Sequence, residues 1–405
     1  MFNKKTFHFE HSDSSSKEYG HYPSDDGLKI IRVLRDGSPA SVKKISERTG
    51  LSDPTVRKKI LKLKKKDIVQ IKGVRDTSLG RKPKLYQLNA SAYFVVGIDF
   101  EIPDLRIGIY DLTGQLVSNK MTYFREKIGQ KDDNELADFL VKETKNLIHN
   151  SHHELSQIAG FGIGVPGLVT EEGFNPFSRT VFNRRINLSP LLQDDLHNNL
   201  IMLNDVDLEL IAELDSRNLL YSDGTVAVYL SIRPSGENNS GVSVGGGVWY
   251  RGSLLHGTGS AAEFGHTSTY IEPSTEGSID TSCKCGNPRC FESFLNHQIK
   301  NSNIKKVSAA NSIENAIVQK LKDLVLIFNP THLLLDLSGI SKNSETIASA
   351  INTELDSLSG VLANDPPIFI NLPNEEMRCS QGGAIAILSR LLNDGEMFWE
   401  TFVGE

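Results

Sequence analysis

Three short apolar stripes open the readable part of the chain. Leu28, Ile31 and Leu34 recur at helical spacing and predict a first helix, which the turn Asp36-Gly37-Ser38-Pro39 stops. Ser41 is placed to cap a second helix carrying Val42 and Ile45, and Gly50 to close it. Ser52 caps a third, with Pro54 tolerated in its first turn and Val56, Ile60 and Leu63 pointing inward. That leaves Thr55, Arg57, Lys58, Lys59, Lys62 and Lys66 mostly outward. The period then changes from about 3.6 to about 2. Residues 68–71 and 84–88 alternate as strands do, and the basic turn between them contains Gly80-Arg81-Lys82-Pro83. Helix, tight turn, basic helix and hairpin make a winged helix-turn-helix. Its predicted DNA contacts are Ser52, Thr55, Arg57, Lys58, Lys59 and Lys62 at a major groove. Arg81 and Lys82, held extended by the following proline, suit a narrow A·T-rich minor groove.

From Tyr93 the pattern becomes α/β. Residues 94–99 and 105–110 read as strands, 134–149 as an amphipathic helix, and 158–164 and 201–204 as buried strands, with a helix from about 206. A second cycle starts at 225–232: strand, hairpin around Gly245-Gly246-Gly247, a Cys/His block, helix 312–328, strand 332–336, helix 343–357, strand 368–371 and a last helix at 380–392. Two similar halves imply two lobes with a cleft between them. The expected organisation is a flexible tail over 1–24, a DNA-binding domain over 25–89, one lobe over 90–206 completed by a C-terminal helix within 379–405, and a second lobe over 207–378.

Composition adds a division of charge. The net charge of −6 conceals a basic segment, residues 25–90, with 18 Lys and Arg against 7 Asp and Glu, and an acidic remainder from 91 onward at −17. A polyanion-binding head on a body that does not bind polyanions is the arrangement this implies. No run approaches a membrane helix and the first twenty residues have no apolar core, so a cytoplasmic protein is expected.

Three of the four cysteines, Cys283, Cys285 and Cys290, fall within eight residues, and His266 upstream can complete a tetrahedral set. Thiolates and one imidazole suit zinc, and four protein ligands leave no open position for chemistry, so a structural Zn2+ site is the favoured reading. A disulfide between two of these cysteines is the alternative. Glu263 and Glu292 flank the block and are not needed to bind a metal.

With Glu263-x-Gly265-His266 followed by Cys283-x-Cys285-Gly286-x-x-x-Cys290-x-Glu292, and with Gly80-Arg81-Lys82-Pro83 in the wing, the chain resembles the ROK family (repressors, open reading frames, kinases). The likeness is to its winged-helix, sugar-responsive regulators and covers about residues 25–395. It implies a two-lobed, actin-like ATPase or ribonuclease H-like body of the sugar-kinase type, and zinc on His266, Cys283, Cys285 and Cys290. It also implies that Asn204, Asp205, Glu263, His266 and Glu292 line a pocket for a sugar or sugar phosphate. The spacer between His266 and Cys283 is longer than is customary, and Arg289 stands where a glycine is usual.

In the family's kinases the aspartate matching Asp205 is the base. Here the glycine-rich first phosphate loop is replaced by Asp99-Phe100-Glu101-Ile102-Pro103-Asp104, Val242-Ser243 stands where Thr-Gly is expected, and Ser338-Gly339 replaces Gly-Gly. Only glycine lets the backbone approach phosphates closely, so Asp205 reads as a vestigial base and the protein as a non-enzyme. The expected function is a regulator of double-stranded operator DNA, acting as a homodimer or higher homo-oligomer, and a repressor of sugar-uptake or catabolic genes. The alternatives are an active sugar kinase with a DNA-binding head, or a regulator controlled by a protein partner.

Overall fold

The computed structural model describes residues 25–74, 83–101, 104–123, 131–170, 186–196, 199–222, 224–235, 241–257, 262–269, 283, 285–287, 289–302, 308–357 and 367–403. The tail expected at 1–24 and the wing-tip residues Arg81 and Lys82 lie outside the described residues.

The head contains α1 (Asp26–Leu34), β1 (Ala40–Ser41), α2 (Val42–Thr49), α3 (Asp53–Lys65), β2 (Val69–Val74) and β3 (Lys84–Leu88), with an antiparallel sheet in the order β1-β3-β2. Its boundaries follow from local chemistry. Asp25 accepts the Gly27 amide at 2.6 Å, Ser41 the Lys44 amide at 3.3 Å and Ser52 the Thr55 amide at 3.4 Å. Gly50 ends α2 in the left-handed region, at φ 73°.

The body repeats one theme. The first half comprises β4 (Phe94–Phe100), β5 (Asp104–Asp111), β6 (Leu116–Tyr123), α4 (Asp133–Asn150), β7 (Ile158–Val165), α5 (Ser189–Leu196), β8 (Asn199–Asn204) and α6 (Asp205–Ser216). Its sheet runs β6-β5-β4-β7-β8, antiparallel through β5 and parallel beyond β4. The second half comprises β9 (Val226–Ser235), β10 (Gly241–Tyr250), β11 (Ser253–Leu254), α7 (Phe291–Ser302), α8 (Ser308–Phe328), β12 (His332–Asp336), α9 (Ser344–Ser357) and β13 (Ile368–Asn371), with the sheet β11-β10-β9-β12-β13. The chain closes with α10 (Arg378–Asn393) and α11 (Gly395–Val403).

Strand alternation assigns the faces. Phe94, Val96 and Ile98 pack outward with Leu136 and Leu140 of α4, and Val228, Leu230 and Ile232 with Ile317 and Leu321 of α8. The opposite faces, through Val95 and Tyr229, meet a shared layer built from α6 and α10. The two helices cross closely because a Cβ on Gly382 would stand 1.8 Å from the Leu208 carbonyl oxygen. The same apolar cluster continues through α11 into the head, joining Leu388, Phe398 and Phe402 to Leu28, Ile31 and Ile68.

Two expectations are corrected. The run Gly245-Gly246-Gly247 is not a hairpin turn but the middle of β10, paired without interruption from Gly241 to Tyr250. A Cβ on Gly246 would lie 2.3 Å from the Phe264 ring, so the absent side chains make room for the segment carrying Glu263 and His266. The helix expected at 380–392 is α10 but it is not the last: Asp394 leaves the helical region (φ −105°, ψ 104°) and its carboxylate accepts the Met397 amide at 3.0 Å, starting α11. Among the described residues no helix is long and apolar enough to cross a membrane.

Candidate functional site

α6 begins where β8 ends, and its N-terminus is the floor of the site. Asn204 caps it: Oδ1 accepts the Val206 amide at 2.9 Å, and Nδ2 donates to the Gly167 carbonyl at 2.9 Å. The residue expected to face a ligand therefore serves first to fix the helix on which Asp205 stands. Asp205 is buried, and its carboxylate accepts from Arg233 of β9 at 2.6 Å. Arg233 also donates to Glu209 at 2.8 Å, one helical turn further on, and the far oxygen of Glu209 takes the Tyr229 hydroxyl at 2.9 Å. Burial alone would disfavour the guanidinium charge, but Glu209 and Asp205 outweigh it and hold Arg233 well above its ordinary pKa.

Beside this pair lies a second. Arg106 of β5 donates to Asp99 at 3.0 Å, Glu101 at 3.1 Å and Asp104 at 3.0 Å, the three acids of the degenerate first loop. Burial, with Glu101 and Asp205 adding to it, pushes Asp99 up to about 7 despite Arg106. Asp207, two residues beyond Asp205, lies 3.6 Å from His256 Nδ1, and burial together with Asp205 and Glu263 pushes it up to about 8.

The opposite wall comes from the block that follows β11. Ala262 sits in the left-handed region (φ 64°), and its carbonyl accepts the Phe264 amide at 2.7 Å, which directs Glu263 and His266 into one short turn. His266 faces two ways: Nδ1 lies 3.5 Å from Cys283 Sγ, and Nε2 lies 3.7 Å from the Glu263 carboxylate. Burial raises the Glu263 pKa; His266 opposes this, while Glu292 and Asp205 add to it, so these four groups share one field. Glu292 is anchored by the Val244 amide at 2.9 Å. Lys320 of α8, itself buried, donates to Thr267 Oγ1 at 2.8 Å and to the Ser268 carbonyl at 3.0 Å, holding the strand that follows His266.

One ligand atom from each of His266, Cys283, Cys285 and Cys290 lies within 4.8 Å of the others, and all four cysteines are free thiols. Donors at about 2.0 to 2.3 Å from a common tetrahedral centre are separated by such distances, so the set could hold a metal ion. Cys379 is buried elsewhere, against Gly164, and Trp249 is core.

On α3, Arg57, Lys58 and Lys62 are exposed, together with Lys64 and Lys65, which the sequence pattern did not single out. Ser52 and Thr55 join hydroxyls at 2.9 Å. Two of the expected DNA contacts, Lys59 and Lys62, also have partners within the protein. Lys59 pairs with Asp25 at 3.2 Å, and the Lys62 ammonium lies 4.1 Å above the Trp399 ring of α11. Their placement follows from the docking of α3 against α1 and α11, which sequence spacing does not reveal. Arg106, Arg233 and Asp207 were also not marked by any motif. The one signal for Arg233 was a charge closing the apolar run of β9.

With this geometry in place, comparison with known proteins is direct. The profile of the ROK family matches residues 95–298, and a winged helix-turn-helix DNA-binding profile matches residues 27–70. The chain belongs to the ROK family. It is similar to the xylose repressor of Caldicellulosiruptor bescii, with 26% identity over 284 residues, 69% of this chain and 66% of that one. It is also similar to the xylose repressor of Bacillus subtilis, with 25% identity over 275 residues, 66% of this chain and 65% of that one. The chain thus spans just under two thirds of the length of these two repressors. A crystal structure of a ROK family transcriptional regulator, described as a homolog of the E. coli MLC protein, superposes with a TM-score of 0.70 at 17% identity, covering 93% of this chain and 98% of that one. A ROK hexokinase from Thermus thermophilus follows the body alone, with a TM-score of 0.55 at 18% identity, covering 72% of this chain and 97% of that one. At such identities the superpositions show the fold: a winged helix followed by the sugar-kinase type of body.

Proposed function

We propose that the protein is a DNA-binding transcriptional repressor whose kinase-type body serves as a receptor for a sugar effector and lacks a competent ATP site. The observation that carries this reading is the state of Asp205. A general base must be free to take a proton from a substrate hydroxyl, whereas this carboxylate is bound at 2.6 Å by Arg233. The first phosphate loop is likewise committed to Arg106 through three acids, where phosphates call for backbone amides and cations. The names of the two repressors support the regulatory class and suggest a pentose such as xylose as a first effector to test.

In this reading Asp205, Glu263, His266 and Glu292 accept or donate hydrogen bonds to sugar hydroxyls, with Asn204 holding the helix beneath them. The site of His266, Cys283, Cys285 and Cys290 takes zinc, which performs no chemistry but fixes the imidazole so that Nε2 faces the pocket. Arg57 and Lys58 contact operator DNA directly, with Ser52 and Thr55 at the start of the helix. Arg81 and Lys82 act at the wing tip. Lys59 and Lys62 act through the packing of α3. Two heads in a homodimer read a two-fold operator, and sugar binding shifts the lobes and takes the heads out of half-site register.

The test is fluorescence anisotropy on DNA from upstream of the protein's own transcription unit, titrated with xylose and a panel of hexoses. Operator affinity unchanged by every sugar would overturn the effector reading. The presence of Asp205 keeps one rival, an active kinase. Phosphorylation of any panel sugar by ATP, abolished by Asp205→Asn, would decide for it.

A further inference from the structure

Arg233 belongs to no motif, yet it organises the floor of the pocket. It stands on β9 directly opposite Ser243 of β10, at the place of the second phosphate loop. Its guanidinium bridges two carboxylates one turn apart on α6, Asp205 at 2.6 Å and Glu209 at 2.8 Å. A second guanidinium, Arg106, is surrounded by Asp99, Glu101 and Asp104. Two cations therefore face five carboxylates, before Asp207, Glu263 and Glu292 are counted. Burial and neighbouring acids already push Asp99 up to about 7 and Asp207 up to about 8. A phosphate brought here would add nearly two negative charges at a point where both guanidinium groups are already paired with carboxylates. A neutral sugar would instead offer hydroxyl protons to carboxylates that need donors.

We propose that Arg233 sets the chemical class of the effector: because Asp205 and Glu209 already pair with its charge, the pocket takes an uncharged polyhydroxy sugar and rejects sugar phosphates. This rests on the effector reading given above.

The test is isothermal titration of the full-length protein with D-xylose, D-glucose, D-mannose and N-acetyl-D-glucosamine, each beside its terminal phosphate ester. The expected result is binding of a neutral member, with its phosphate bound at least a hundredfold more weakly. A phosphate that binds as tightly as its parent sugar, or more tightly, overturns the inference and leaves the effector reading standing. Absence of binding by every member of both sets overturns the effector reading and the inference with it. In Arg233→Met the neutral sugar should bind at least tenfold more weakly and the preference over the phosphate should change. Arg233→Lys, which keeps the charge but not the fork, should recover part of the affinity. A purely structural arginine would lower the melting temperature in both variants without altering the sugar-to-phosphate ratio. If Arg233→Met does not fold, the wild-type panel still decides the class and the lysine variant decides the residue.

Discussion

Arg35 and Asp215 are joined by two parallel hydrogen bonds, of 2.9 and 3.0 Å, across the seam between the winged helix and the body. The same guanidinium donates to the Tyr221 hydroxyl at 3.1 Å, and Arg32 lies 3.7 Å above the Tyr221 ring. Burial opposes the Arg35 charge, but Asp215 outweighs it and raises the pKa. Asp215 is on α6, about 15 Å along the helix from Asp205, so one rigid element runs from the pocket to the head. Asp215→Asn should leave a buried guanidinium without its counter-ion and weaken docking of the head by roughly 3 kcal/mol. Limited proteolysis between head and body should accelerate, and the fold-change in operator affinity caused by sugar should shrink while sugar affinity is kept.

Removing one thiolate should separate metal from ligand recognition. On the proposed zinc site, Cys285→Ser should bind less zinc by inductively coupled plasma mass spectrometry and lower both stability and sugar response. Glu263→Gln should keep its zinc and lose sugar affinity alone. Unchanged affinity in the second variant would place the pocket elsewhere.

Stability should fall with rising pH through the acid pair of the cleft. Asp99 and Asp207 have folded-state pKa values of about 7 and about 8 against an ordinary 3.8, so between pH 4 and 8 the folded state holds more protons than the unfolded one. Their contribution is fully present below pH 4 and is lost as pH rises through 7 and 8, at up to about 1.4 kcal/mol per pH unit for each group. Urea melts at pH 5.5, 7 and 8.5 should show a flatter dependence in Asp207→Asn than in the wild type.

The surface of α3 predicts unequal effects of its lysines and arginine. Arg57→Ala and Lys58→Ala should each weaken operator binding and lower the slope of log affinity against log salt by about 1. Lys62→Ala should change that slope little and instead lower the melting temperature, since its ammonium rests on Trp399. Anisotropy over a potassium chloride series separates the two outcomes.

Gly382→Ala should be severely destabilising. Its new methyl group would meet the Leu208 backbone, which has no rotamer to yield, so α10 must move away from α6 at a cost of about 3 kcal/mol or more. Circular dichroism melting should report it.

Much of the head was readable because its signals are local. Ser41, Gly50 and Ser52 bond to groups within four residues, and Val56, Ile60 and Leu63 mark one face of a single helix. Strand 332–336 and strand 368–371 were located to the residue, since short apolar runs between turn formers have little freedom of register. The cysteine spacing brought the Cys/His cluster into view, because three of its four members are sequence neighbours. The end of α10 was located to one residue, but the short helix α11 beyond Asp394 was missed, as it holds only nine residues and its apolar positions pack against the head and α10.

The sequence by itself determined the two-part organisation, the winged helix, the α/β halves and the identity of the Cys/His set, all of which depend on contacts within one element or between adjacent ones. Only the tertiary structure decided that the glycine run of β10 is a bed for the Glu263 segment, that Lys59 pairs with Asp25 and Lys62 lies over Trp399, and that Arg233 holds Asp205. The physical reason is the same in each case. These relationships join residues 18 to 337 positions apart, and the free energy of such a contact depends on which surfaces the packed helices and sheets bring together, information that no local periodicity carries.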